Sequence, residues 1–165
     1  MPQRIALSGK SGSGKTTVAE YLVSKHGYVR CSTGDVCRDL CRRLFRTESK
    51  AILNKVTDAL KAVEPDVWVN AALSSLGEHT LVVFDSMRFA SDYNYLRKQG
   101  FTMWRIDAPL EIRLLRMESR GQLVSREDDE HRAETELDEH HFDQIVNNFE
   151  TDLDSLYLKI EQALD

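Results

Sequence analysis

The sequence predicts a three-layer α/β fold, a five-stranded parallel sheet with helices on both faces. Three observations predict it. Short apolar runs alternate with segments of helical periodicity along the 165 residues, as crossover connections between parallel strands require. Arg4 to Ser8, a run suited to a buried strand, passes directly into a glycine-rich turn and a helix. Thr80-Leu81-Val82-Val83-Phe84-Asp85 is a continuous apolar run, rich in β-branched residues, that ends in an acid; a strand covered on both faces reads this way.

The turn after the first strand is Gly9-Lys10-Ser11-Gly12-Ser13-Gly14-Lys15-Thr16-Thr17. From Gly9 to Thr16 it matches G-x-x-x-x-G-K-[ST], the phosphate-binding loop. The glycines allow close backbone approach, so that successive amides form an anion nest at a helix N-terminus. Lys15 is placed to reach the β- and γ-phosphates, and the Thr16 hydroxyl to ligate Mg²⁺. A nucleoside triphosphate is therefore the expected ligand. Val18, Ala19, Leu22 and Val23 continue the helix, and Gly27 stops it.

Tyr28 to Cys31 reads as a second strand, and Ser32 or Thr33 as the cap of a helix carrying Val36, Leu40, Leu44 and Phe45. Asp35, in the Gly-Asp pair after the strand, has two readings, one facing the metal waters or the acceptor and one as an exposed turn aspartate. Arg38, Arg42, Arg43 and Arg46 stud the helix; Arg38 is assigned to the acceptor and the others to a solvated basic face. Helical spacing covers residues 49–62. After Glu64-Pro65-Asp66 a further helix is predicted from Val67 to Leu76, with Pro65 at its start and Gly77 at its close.

Asp85, ending the third strand, is the acid that holds Mg²⁺ directly or through water in phosphotransferases. Arg88 follows beside the strand's carboxyl end, where open α/β sheets bind ligands. Helical spacing through Tyr93 and Leu96 stops at Gly100; Phe101 to Ile106 is a strand; and a helix with Ile112, Leu115, Arg113 and Arg116 follows Pro109. Arg120 leads into an aperiodic polar stretch, 121–132, that contains Arg126 and is read as a flap, with Arg116 and Arg120 helping it close over a triphosphate. For Arg113 a surface role and a functional one stand side by side. Phe142 to Val146 is the last strand. Thr151 with Asp154 resembles a capping box opening a final helix striped by Leu153, Leu156, Tyr157, Ile160 and Leu164.

Charged residues make up 30% and the net charge is −5, which offers no broad basic footprint for nucleic acid. No apolar run approaches the roughly 18 residues of a membrane span. Cys31, Cys37 and Cys41 are read as buried, reduced thiols of a cytoplasmic protein. His131, His140 and His141 lack regular ligand spacing and are read as surface histidines. One domain, residues 1–165, is expected, with an acceptor-binding region over about 32–76 and a lid over about 116–132; whether it forms a homodimer is left open.

Beyond the phosphate loop, Glu64-Pro65-Asp66-Val67-Trp68-Val69, Phe84-Asp85-Ser86-Met87-Arg88-Phe89, Asp129-Glu130-His131-Arg132-Ala133-Glu134 and the stretch from Phe142-Asp143 to Asn147-Asn148 are similar to motifs of the phage-type deoxynucleoside monophosphate kinases. Two departures fall near the expected acceptor site. Ala90-Ser91-Asp92 stands where that family has Pro-Asn-Glu, and Ala133 where it has Ser. The resemblance implies a P-loop kinase fold with an arginine-bearing lid, and transfer of the γ-phosphoryl of ATP·Mg²⁺ to a small-molecule (deoxy)nucleoside 5′-monophosphate. It implies roles as well: Lys15 and the loop amides on the donor phosphates, Thr16 and Asp85 on Mg²⁺, Asp35, Arg38, Trp68, Arg88 and Glu134 at the acceptor, and Arg116 and Arg120 over the transferred group. A dephospho-coenzyme A kinase, a kinase of modified DNA bases, and a nucleotide-binding module without transfer are the alternatives.

Overall fold

Strand residues alternate between two buried faces, and that alternation builds the three layers. The structure, a computed structural model, describes residues 1–74, 76–77, 81–121, 135–150 and 152–165, with Lys50 described by its backbone alone. The five strands are β1 (Arg4–Ser8), β2 (Val29–Cys31), β3 (Val82–Phe84), β4 (Thr102–Asp107) and β5 (Gln144–Asn147). They form one sheet in the order β2-β3-β1-β4-β5, and every pairing is parallel, with Ile5 opposite Val83 and Thr102.

Ile5, Leu7, Val83, Trp104, Ile106 and Val146 point to one face, where they pack on α1 (Lys15–His26) and α7 (Leu153–Leu164). Their neighbours Ala6, Val82, Phe84 and Met103 point to the other, against α4 (Val67–Ser74) and α5 (Ala90–Lys98). A period of two with both faces apolar is the signature of a sheet covered by helices on each side. The helices α2 (Thr33–Phe45) and α3 (Lys50–Val63) form, with α4, a smaller cluster around Cys37, Cys41 and Trp68. The sixth helix, α6 (Leu110–Glu118), follows β4.

Several element boundaries differ from the expected ones. Ser32 is the N-cap of α2, one of the two expected positions, but its side chain makes no cap hydrogen bond; Thr33 N–H donates to Ser86 Oγ at 3.0 Å, across from the end of β3. Helix α2 therefore begins at Thr33 and takes Gly34 and Asp35 into its first turn. The expected capping box at Thr151 and Asp154 is replaced by Asp152, whose carboxylate accepts from Ser155 N–H at 2.8 Å; Thr151 itself lies outside the described residues. Helix α4 begins at Val67 as expected, with Pro65 in the turn before it. The three cysteines are unpaired and buried. Among the described residues, no helix is long and apolar enough to cross a membrane.

Candidate active site

The strand order brings the carboxyl ends of the neighbours β1 and β3 together, with the glycine-rich loop on one and Asp85 on the other. A cavity of about 460 Å³ opens there. The loop is shaped by what presses on it. Gly9 sits at φ +141°, and a Cβ on it would come within 2.2 Å of the Ile106 carbonyl oxygen. Gly14, at φ +106°, caps α1, and a Cβ there would lie 2.4 Å from Asn148 Nδ2. Both positions combine a left-handed backbone with a close neighbour, so glycine is required twice over.

The loop carbonyls are held from behind. Arg113 is buried, its Nε donating to Ala108 O at 3.0 Å and its Nη1 to Ser11 O at 3.2 Å. Asn148 Nδ2 donates to Ser13 O at 2.8 Å, and Arg116 Nη2 donates to Asn148 Oδ1 at 3.2 Å and Glu150 O at 2.8 Å. Burial, with Arg120 one turn on, lowers the Arg116 pKa from its ordinary value. With these contacts in place Ser11, Gly12, Gly14, Lys15, Thr16 and Thr17 form one wall of the cavity. Lys15 Nζ donates to the carbonyls of Gly9 and Lys10, which holds its ammonium at the loop. Lys10 also reaches Asp138 at 3.7 Å.

Asp85 follows β3 and is buried at the cavity wall. Arg30 Nε and Nη2 both approach its Oδ2 at 2.6 Å, while Oδ1 is buried without a partner among the described residues. A carboxylate oxygen left unsatisfied in a polar cavity, with the Thr16 hydroxyl lining the same space, is a donor set that suits Mg²⁺. Magnesium takes one or two protein oxygens and completes its shell with water and substrate phosphates. Among the described residues no group of three or more His, Cys, Asp or Glu side chains converges on a metal position.

The remaining walls come from α2, α3, α4, the segment from β3 into α5, and the turn after α6. Arg38, Arg88 and Arg120 supply positive charge, and Trp68 and Phe89 supply aromatic surface. Trp68 is fixed by its Nε1–H to Thr57 O at 3.3 Å. Asp92, buried in the first turn of α5, accepts on Oδ2 from Phe89 N–H at 3.2 Å and Arg88 N–H at 3.4 Å. Burial raises its carboxyl pKa above the ordinary value, against the N–H bonds and the charge of Lys61.

Most of the expected site residues thus meet in one cavity, but Asp35 and Arg116 do not line it, nor do Gly9, Lys10 and Ser13 of the loop. Asp35 is exposed and pairs with Arg38 one turn along α2, because the helix starts early enough to turn its carboxylate outward. Arg116 clamps the loop to the segment after β5. Arg113 is neither a surface arginine nor a cavity one, but a buried brace. Glu134, Arg126, His131 and most of the expected lid fall outside the described residues. The cavity also gathers residues that sequence reasoning did not assign, above all Thr57 and Lys61 from α3 and Ser86, Phe89 and Asp92 after β3. The spacing of Thr57 and Lys61, one helical turn apart, was the available signal.

A profile of the family described as the AAA domain matches residues 5–150. The chain belongs to that family. A protein of Acanthamoeba polyphaga mimivirus, whose name assigns it provisionally to the deoxynucleotide monophosphate kinases, is 23% identical over 64% of this chain and 74% of its own. Among solved structures, TT1252 from Thermus thermophilus superposes with a TM-score of 0.64 at 22% identity, covering 99% of this chain and 96% of that one. A gluconokinase from Sinorhizobium meliloti gives 0.63 at 20% identity, covering 99% and 90%. Shikimate kinase from Acinetobacter baumannii gives 0.61 at 19% identity, covering 99% and 92%. The fold is that of the P-loop kinases.

Proposed function

We propose that the protein transfers the γ-phosphoryl of ATP to the 5′-phosphate of a (deoxy)nucleoside monophosphate, giving two diphosphates. One observation carries this reading: a single cavity joins the phosphate-binding loop to a wall of three arginines and two aromatic rings. The loop suits a triphosphate, the arginines an anionic acceptor, and the rings a planar base. The provisional name of the mimivirus relative supports the same reaction.

In the transfer, the bond from the γ-phosphorus to the β,γ-bridging oxygen breaks as a bond to an acceptor phosphate oxygen forms. The acceptor is an anion already, so no strong general base is needed. Catalysis then rests on placing two like-charged reactants in line and neutralising their charge. Lys15 and the loop amides hold the donor phosphates, Arg88 and Arg38 hold the acceptor phosphate, and Arg120 sits where charge builds on the group in flight. Thr16 and Asp85 are the residues that would hold Mg²⁺, which neutralises phosphate charge when bound.

Asp85 Oδ1, which has no hydrogen-bond partner among the described residues, favours a second reading, in which it takes a proton from a hydroxyl acceptor. An ADP-release assay with ATP·Mg²⁺ separates the two, run against the deoxy- and ribonucleoside monophosphates and against dephospho-coenzyme A, gluconate and shikimate. Turnover confined to monophosphates is the expected result; turnover only with a hydroxyl acceptor overturns the proposal.

A further inference from the structure

Lys61 and Asp92 come from different elements and both contact Phe89, the first at its ring and the second at its backbone N–H. Lys61 lies on α3, one turn after Thr57, and its Nζ is 4.3 Å from the centroid of Phe89. Phe89 immediately precedes α5, and Asp92 lies in the first turn of that helix. All four residues line the cavity. Among the described residues, both hydrogen bonds that Asp92 accepts fall on Oδ2, which leaves Oδ1 for a ligand. Lys61 acts on the Asp92 carboxylate by its charge but forms no ion pair with it. Asp92 is 8% exposed, and its uncommitted oxygen stands in the cavity with a cation and an aromatic ring, an arrangement that a ligand with matching groups would complete.

We propose that Asp92 and Lys61 read the base of the acceptor and favour guanine, an inference that rests on the monophosphate-kinase reading above. A carboxylate only accepts and an ammonium only donates, so the pair demands donors beside an acceptor on one edge of the base. Guanine presents two adjacent donors, N1–H and the N2 amino group, next to the O6 acceptor. Its donors face Asp92 Oδ1 and its O6 faces Lys61. Thymine and uracil offer one donor, N3–H, flanked on both sides by carbonyl oxygens that the carboxylate repels. Adenine and cytosine lie between, each with one amino group next to a ring-nitrogen lone pair. Phe89 and Trp68 give the base its apolar surface, as single bases are commonly held by aromatic contact and edge hydrogen bonds together. The position of Asp92 also couples base to phosphate, since the backbone N–H of Arg88 is one of its two donors.

The test is kcat/KM for dGMP, GMP, dAMP, dCMP and dTMP with the wild-type chain, Asp92→Asn and Lys61→Met. The wild type is expected to prefer dGMP over dTMP by about ten- to a hundredfold, the range for hydrogen bonds to charged groups. Asp92→Asn, which replaces an acceptor by an amide that also donates, narrows that ratio by about tenfold, chiefly through KM for dGMP. Lys61→Met narrows it from the O6 side. A wild-type preference for dTMP, or a ratio that neither variant changes, overturns base selection. Equal turnover of all five does so too, while leaving the monophosphate-kinase reading standing; no turnover of any overturns both. Should Asp92→Asn fail to fold, Lys61→Met alone decides between these outcomes.

Discussion

Gly14→Ala tests how the phosphate loop gets its shape, and the structure sets the size of the effect. The new Cβ would stand 2.4 Å from Asn148 Nδ2, at a residue with φ +106°. The backbone term is about 1–2 kcal/mol for an L-residue forced into left-handed space. The steric term acts through Asn148. Its amide has to leave Ser13 O, with which it shares a 2.8 Å bond in the buried interior, and losing that bond costs about 1–3 kcal/mol. The total is about 2–5 kcal/mol, or roughly a 4–20 °C fall in Tm for a chain of this size.

The two terms separate in a double-mutant cycle. Asn148→Ala removes the obstacle and the hydrogen bond together, so adding Gly14→Ala to it should cost only the backbone term. Gly27→Ala calibrates that term, because Gly27 has φ +74° and a Cβ added there would meet nothing within 4 Å. The expected coupling is the steric term, about 1–3 kcal/mol, with the double variant more stable than the sum of the singles. Denaturant unfolding of the wild type, the two single variants and the double variant measures it. Strict additivity, within about 0.3 kcal/mol, would refute the claim that Asn148 packs on the loop.

Other consequences follow from individual residues. Lys15→Ala should abolish transfer while leaving Tm within a few degrees of wild type, checked by turnover and thermal melting; near-normal turnover would remove Lys15 from the site. Burial pushes the Asp143 carboxyl up, but the Arg97 guanidinium and the Met103 N–H outweigh it and hold the pKa below the ordinary value. A carboxylate depressed on folding stabilises above its unfolded pKa of about 3.9, and that contribution is lost as pH falls through the folded value. The Tm difference between wild type and Asp143→Asn should therefore be greatest near neutrality and shrink on acidification below about pH 4. A difference constant with pH would contradict the assignment. Burial, helped by Asp85, pushes the Cys31 thiol up to about 12. Its alkylation in the native protein should be about a hundredfold slower than in the unfolded chain, read by mass spectrometry.

The parts of the fold that were legible in the sequence were those whose signal is local. The phosphate loop is contiguous, and the apolar run before Asp85 announces a buried strand without reference to any partner. The acceptor wall was less legible because it is assembled across elements. Thr57 and Lys61 look like ordinary polar positions of an amphipathic helix until α3 is placed over Phe89. Asp92 is a departure from a motif in sequence and a buried cavity carboxylate in space. Of the two readings of Asp35, the exposed one fits the structure: Ser86 accepts from the Thr33 N–H, α2 starts at once, and the carboxylate pairs with Arg38. Arg116 and Arg113 carry charge of the right sign for a flap, but both are spent on loop and backbone carbonyls. No pattern within α6 distinguishes an arginine that braces the loop from one that closes over it.

The most direct test of the central claim is to follow phosphorus itself. The protein is incubated with Mg²⁺, a deoxynucleoside monophosphate and ATP labelled in its γ-phosphate, and the products are separated and identified. The account predicts ADP and a deoxynucleoside diphosphate carrying the label in its β-phosphate. Label released only as inorganic phosphate, or retained in ATP with every monophosphate tried, would contradict it.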